Sequence, residues 1–212
     1  MTRIHKTIPL LTLALMAAGA AGMAQDGGLY EDVANPDASF VRVVDAGTTV
    51  AIIQSASFDS VETGVTPYVV IDGDTEVKIV SGETTTTEAI QPATFYSFVV
   101  GADGTSALVV DKITNNPAQA DVTFYNLSDI ASADLYVPQA KAMAIEGVAI
   151  NGGGAVALKA PLTLDFEVRD GETVLATLPG VALKRREGVA IVLSGTDGSY
   201  TATVTPNALA KQ

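Results

Sequence analysis

Cysteine and tryptophan are absent from the 212 residues, and histidine occurs once, at His5. Each absence removes a class of chemistry. Without thiols no disulfide forms, so an exported chain of this kind must hold its fold by burying a core. A cysteine-linked lipid anchor is excluded for the same reason. His5 falls inside an N-terminal stretch that reads as an export signal. "MTRIHK" supplies a basic start with Arg3 and Lys6, residues 8–21 form an apolar run, and Gly22 and Ala24 precede an expected cut between Ala24 and Gln25. The run is shorter than the roughly twenty apolar residues a membrane helix needs.

From Gln25 onward the chain has neither imidazole nor thiol. A Ser-His-Asp or Cys-His arrangement needs an imidazole to take and return a proton near neutral pH. Zinc and copper sites normally draw on His or Cys. No Ser-x-x-Lys occurs, so a lysine-activated serine of that type is also missing. Paired carboxylates remain a route to glycoside hydrolysis, yet nothing marks one pair, and a chain without Trp is poorly supplied with sugar-stacking platforms. The reading is therefore a protein that is not an enzyme and needs no cofactor or metal.

Basic residues are scarce as well. The leader holds two of the 12 Lys and Arg and none of the 24 acids, which leaves 10 against 24, a net charge of −14. Such a field repels phosphate and argues against nucleic acid as a partner. "DGDTE" at 72–76 lacks the spacing of a calcium loop and reads as a solvated turn. "NLS" at 126–128 matches a glycosylation sequon, which by itself is a short pattern. "NGGGA" at 151–155 is not followed by the Lys-Ser/Thr of a phosphate loop. The basic cluster at Lys184, Arg185 and Arg186 is a candidate contact for an acidic partner or polymer, or else the rim of a turn.

What is abundant is strand signal. Short runs of Val, Thr, Ile and Tyr are punctuated by Asp72-Gly73, Asp103-Gly104, Asn151-Gly152, Asp170-Gly171 and Asp197-Gly198, dipeptides that suit tight hairpins. Strands are expected at 40–45, 48–56, 67–71, 75–80, 95–100 and 106–111. A second set is expected at 121–126, 133–137, 145–150, 154–159, 162–169, 172–178, 188–193 and 199–204. The polar "KITNNPAQA" separates them. The fold class expected is all-β, two tandem antiparallel β-sandwiches of the immunoglobulin or carbohydrate-binding-module type. After the signal at 1–24 come an extension at 25–38, a first domain at 39–112, a linker at 113–119, a second domain at 120–206 and a tail at 207–212.

The halves also resemble each other. At an offset of 81, Val41 and Val43 fall on Val122 and Phe124, and Asp45 on Asn126; at an offset of 94, Asp103-Gly104 falls on Asp197-Gly198. An internal duplication is the reading, with convergent β patterning as the alternative. In the first strand, side chains alternate, so with Val41 and Val43 inward, Arg42 stands on the outer face where Thr123 stands in the second half. Its stem lies over Phe40 and Val44 and its head is expected to reach water or an acidic partner.

Three blocks resemble the AlgF family of periplasmic alginate O-acetylation factors. In "GLYEDVANPDASFVRVVDAG" the matching positions are Leu29, Tyr30, then Phe40, Val41, Arg42 and Val43, then Asp45, Ala46 and Gly47, with Asp45 where that family has Asn. In "FYSFVVGADGTSALVVDKITNNPAQADVTFYNLSD" they are the aromatic pair Phe95-Tyr96, the hairpin, the Asn-Pro spacer and Asn126, Leu127 and Ser128, and "LKRREGVAIVLSG" resembles the corresponding late strand. The resemblance implies two β-sandwiches similar to carbohydrate-binding modules. It also implies partners: periplasmic O-acetyltransferases and a membrane-bound O-acyltransferase that acetylate mannuronate, with alginate or polymannuronate as a further possible ligand. The expectation is a non-catalytic periplasmic adaptor. A polysaccharide-binding module and a generic secreted structural or adhesion sandwich are the alternatives.

Overall fold

The computed structural model describes residues 35–211 apart from 46, 48, 49, 60, 62, 74 and 115. The export signal, Leu29, Tyr30 and Ala46 lie outside the described residues. Among those described there is no helix, only strands. The first half contains β1 (Ser39–Asp45), β2 (Ala51–Ile53), β3 (Ala56–Phe58) and β4 (Val69–Ile71), then β5 (Glu76–Ser81), β6 (Thr84–Ala89), β7 (Phe95–Val100) and β8 (Ser106–Asp111). The second half contains β9 (Gln119–Ser128), β10 (Ser132–Val137), β11 (Ala142–Ala149) and β12 (Gly152–Lys159). It ends with β13 (Leu162–Asp170), β14 (Thr173–Leu183), β15 (Gly188–Thr196) and β16 (Ser199–Pro206).

Four sheets of four strands result, ordered β4-β1-β7-β8, β3-β2-β5-β6, β12-β9-β15-β16 and β11-β10-β13-β14. Adding eight to every strand number of the first pair of sheets reproduces the second pair. In both halves the opening strand runs parallel to the penultimate one, β1 with β7 and β9 with β15. The protein is thus two sandwiches of identical topology. Each buries its own apolar core: Val41, Val43, Ile79 and Phe98 are among the core of the first, Phe124, Leu135, Phe166 and Ile191 among that of the second.

The offset of 81 matches the structure at β1 and β9. The offset of 94 does not hold along the following strand. Tyr96 and Phe98 pair with Val41 and Val43, while Val189 and Ile191 pair with Val122 and Phe124, an offset of 93. A slip of one residue exchanges the two faces of a strand. The Asp-Gly dipeptides align at 94 because the β15–β16 hairpin carries a longer strand before its turn, in which Asp197 and Gly198 both have positive φ.

A third apolar cluster joins the sandwiches. Val44, Val65 and Val99 from the first meet Tyr125, Leu127, Ala190 and Val192 from the second. Sheet β4-β1-β7-β8 therefore has two buried faces and lies inside a stack of four sheets. The chain after β16 returns to the first sandwich: Tyr68 N–H donates to the carbonyl of Ala208 at 2.8 Å, and Ala210 N–H to that of Tyr68 at 2.8 Å.

Candidate functional site

Period-two alternation puts Arg42 opposite Val41 and Val43, and the stacked sheets convert that outer face into an interior. Arg42 is 1% exposed. Its expected contact with water or an external partner is therefore corrected: the acidic partner is inside the same chain. An unpaired buried guanidinium costs several kcal/mol, and here every edge of the group is met. Nε donates to Ser97 Oγ at 2.8 Å, Nη1 to Asn207 Oδ1 at 2.8 Å, and Nη2 to Thr123 Oγ1 at 3.0 Å and Tyr125 Oη at 2.6 Å. The Tyr68 ring centroid lies 4.3 Å from Cζ and that of Tyr125 5.3 Å.

Asp111, at the end of β8, balances the charge. Its Oδ2 is 3.7 Å from Nη2. Tyr68 Oη and Ser97 Oγ donate to Oδ2 at 2.7 and 2.6 Å, and Tyr125 Oη donates to Oδ1 at 2.5 Å. Burial works against the Arg42 charge, but the facing Tyr125, Tyr68 and Asp111 overcome it and hold the guanidinium above its ordinary pKa. Burial likewise pushes the phenols of Tyr68 and Tyr125 up, against the opposing pull of Arg42. Arg42, Tyr68 and Tyr125 therefore keep one protonation state across the physiological range. The cluster is a fixed electrostatic lock between two domains.

Duplication explains who faces whom. Arg42 and Thr123 occupy equivalent positions on β1 and β9 and touch each other across the interface. Asp111 faces Phe95 across the β7–β8 pair, and Asn207 N–H donates to the carbonyl of Gly188 across the β15–β16 pair, so these two are also counterparts. Arg42 thus reads both copies of one position, a carboxylate in its own sandwich and an amide in the other. Sequence reasoning missed Tyr68, Ser97, Asp111, Tyr125 and Asn207. The available signal was "ALVVD", a carboxylate closing an apolar run, which is what a buried arginine requires.

The remaining motif positions are structural. Asp45 accepts from Gly47 N–H and from Ser81 Oγ, both at 2.8 Å. Asn126 donates to the carbonyls of Ile130 and Val148 and accepts from Ser128 Oγ at 2.6 Å. Both pin the turn after the opening strand. Asn126 is 0% exposed, which removes its sequon from use. Leu127 belongs to the interdomain cluster, and Phe40 stacks on Phe95 with centroids 4.1 Å apart.

Lys184, Arg185 and Arg186 stand exposed on the turn between β14 and β15. Lys184 Nζ lies 3.3 Å from Glu187, and Arg185 Nε donates to the carbonyl of Ala160 at 2.9 Å. The structure brings these three to one rim and keeps Arg42 apart from them, in the interior.

Two clefts open where the sandwiches meet. One of about 640 Å³ is lined by Asp45, Ser81, Glu83 and Thr84 from the first sandwich and by Leu127 and Thr196 from the second. A smaller one of about 270 Å³ lies between Asp103 and Asp129 over the exposed Ile150. Hydrogen bonds from Thr105 to Asp103, and from the backbone of Asp197 to Asp129, hold both carboxyls below the usual range. Among the described residues no group of three or more His, Cys, Asp or Glu is placed to hold a metal ion.

No protein-family model matches the sequence, and no curated protein matches it. Solved structures do. The C-terminal domain of AlgF from P. aeruginosa is similar at 22% identity and a TM-score of 0.38, covering 42% of this chain and 99% of that one. A carbohydrate-binding module of family CBM26 from Eubacterium rectale Amy13K, solved with maltoheptaose, is similar at 10% identity and a TM-score of 0.31, over 82% and 98%. A candidate cell adhesion protein from Bacteroides ovatus is similar at 9% identity and a TM-score of 0.24, over 85% and 100%.

Proposed function

We propose that this chain is a non-catalytic accessory protein of alginate-type exopolysaccharide O-acetylation, working in the periplasm as an adaptor for the acetyltransferases. The observation that carries the reading is chemical: residues 25–212 contain no imidazole and no thiol. Acetyl transfer by the usual nucleophile–base pair therefore belongs to another molecule. The Phe40-Val41-Arg42-Val43 block, which bears the resemblance to the AlgF family, also supplies the interdomain lock. The two-sandwich unit would thus be presented to partners as one body.

Charge favours protein partners over the polymer. At −14 the chain repels a polyuronate, although salt limits that repulsion to about 8 Å at physiological strength. Direct polymer contact is confined to a local basic patch, and the exposed rim of Lys184, Arg185 and Arg186 is the patch on offer.

The adaptor reading is tested by tagging the protein in its host and isolating it from the periplasm. Acetyltransferases and a membrane-bound O-acyltransferase should co-purify, and the pure protein should release no acetate from acetylated mannuronate. Acetyl-ester turnover that tracks the protein through purification would sink the proposal. The polymer reading is separated by calorimetry with mannuronate oligomers at low salt. Heat that disappears on replacing Lys184, Arg185 and Arg186 with Ala would favour it.

A further inference from the structure

The two sandwiches share a topology, so each connection in one has a counterpart in the other, and at one end of the molecule the counterparts differ in charge. The β14–β15 turn is Lys184-Arg185-Arg186-Glu187. By the offset of 93 between β7 and β15 it matches Gln91-Pro92-Ala93-Thr94. The backbones agree. Ala93 and Arg186 have positive φ, 53° and 61°, and each donates its N–H to a carbonyl at the foot of the opening strand, Asp37 at 3.2 Å and Gln119 at 3.1 Å. The pairing of β1 with β4 and of β9 with β12 likewise sets Asp72 where Lys159 stands. The first sandwich forms both connections without a cation, so the fold does not require one there.

Five of the ten Lys and Arg in residues 25–212 gather at this end of the second sandwich. Lys159 pairs with Gln119 at the start of β9, and Leu162 with Leu183, which puts the β12–β13 and β14–β15 connections side by side. Arg185 joins them through its bond to the carbonyl of Ala160. Lys141 closes the β10–β11 turn at the same end, where Gln139 of that turn accepts from the N–H of Asp165 on β13. Lys141, Lys159, Lys184, Arg185 and Arg186 are all exposed. The acids nearby are engaged: Glu187 with Lys184, Asp165 with the N–H of Gly180, and the buried Asp121 with Thr114.

Shape decides what such an end can hold. β1 and β9 run in the same direction across the junction, with Arg42 on Thr123 and Asp45 sharing a cleft with Leu127. The matching end of the first sandwich therefore lies alongside, and it exposes Asp72 and Glu76. A broad anionic surface, whether a membrane or a protein face, would press on those carboxylates too, and like charges repel. A narrow polyanion meets the cations alone, and charge that repeats along it serves several of them at once. Screening to about 8 Å at physiological salt keeps the remaining acids from deciding the contact.

We infer that this end of the second sandwich binds a polyuronate strand, laid from Lys141 across Lys159 to the β14–β15 turn, with sugar carboxylates on the ammonium and guanidinium groups. This rests on the exopolysaccharide reading for the nature of the polyanion, and extends the contact beyond Lys184, Arg185 and Arg186.

Polymannuronate is titrated into residues 25–212 by calorimetry, with backbone amide shifts followed by NMR. Shifts are expected at 139–142, 158–160 and 184–188, and not at the matching 72–76 and 90–94. Lys141→Gln combined with Lys159→Gln leaves the β14–β15 turn intact and should weaken binding by at least about tenfold. Lys78→Gln, which removes a cation from the first sandwich, should leave binding unchanged. Raising salt from about 50 to 200 mM should weaken it by at least about tenfold, as released counterions are retaken. Absence of binding at low salt overturns the inference. So do shifts confined to the first sandwich or to the clefts at the junction, or a double variant that binds like the unmodified protein. Tighter binding of polyglutamate of equal charge would overturn it by assigning the end to an acidic protein segment. Binding of phosphatidylglycerol vesicles in place of polymannuronate would overturn it by assigning the end to a membrane. Failure of acetyltransferase co-purification with polymer binding intact would instead sink the adaptor reading and leave this site standing.

Discussion

Arg42 carries more structural information than any other residue in the chain. A buried arginine whose partner is removed leaves an uncompensated charge at a cost of about 3–5 kcal/mol. Arg42→Ala and Asp111→Ala are each expected to lose stability of that order in urea denaturation. Replacing both, as Arg42→Met with Asp111→Leu, should cost less than the two losses summed, because neither charge remains to be desolvated alone. Additive losses would show that the pair is not coupled. The phenols beside the pair set an alkaline limit. Their folded pKa values lie above the unfolded value of about 10. The stability they contribute is intact below pH 10 and is lost as pH rises toward the folded values. Between pH 9 and 11 the urea midpoint should therefore fall faster for the unmodified protein than for Tyr68→Phe, which has one phenol fewer to ionise. Equal slopes would assign the alkaline loss elsewhere.

Among elements, what was legible followed from periodicity, and what was missed followed from its absence. Strands β1, β4, β5, β7 and β8 lie where alternating or continuous apolar runs put them, since one or both faces are buried. "TTTTEA" has no apolar face, and the strand it forms, β6, is missing from the expectation for that reason. The expected strand at 48–56 is two short ones, because Gln54 adopts φ 53° and turns the chain between β2 and β3. β14 continues to Leu183 rather than ending at 178, carried past Pro179 and the positive-φ Gly180 by Val181 and Leu183, which the core holds. The duplication was legible in the opening strand and misaligned by one residue in the penultimate one. Turn dipeptides are a stronger visual match than strand faces, but the faces decide which side chains are buried. The site was the least legible part. That Arg42 points away from Val41 follows from the sequence; that another sheet covers it depends on Val44, Val99, Tyr125 and Val192 meeting across sequence distances that no local pattern encodes.

At the scale of the whole molecule, the question is whether two sandwiches behave as one. The apolar cluster between them is small beside the two cores it separates, so the polar lock and the returning tail bear on the answer. Residues 207–210 supply Asn207 to the guanidinium and exchange two backbone hydrogen bonds with Tyr68. Neutral hydrogen bonds contribute about 0.5–1.5 kcal/mol each and one to a charged group about 1.5–3. Ending the chain at Pro206 should then weaken the interface by about 3–5 kcal/mol while leaving both cores complete. Residues 25–212 are expected to unfold in one calorimetric transition, with matching calorimetric and van't Hoff enthalpies. The truncated chain should show two transitions, with the first sandwich melting earlier, because its shorter strands and smaller core leave it the weaker partner. A single unshifted transition after truncation would mean that the apolar contact alone couples the domains, and that the arginine lock sets their register rather than their cohesion.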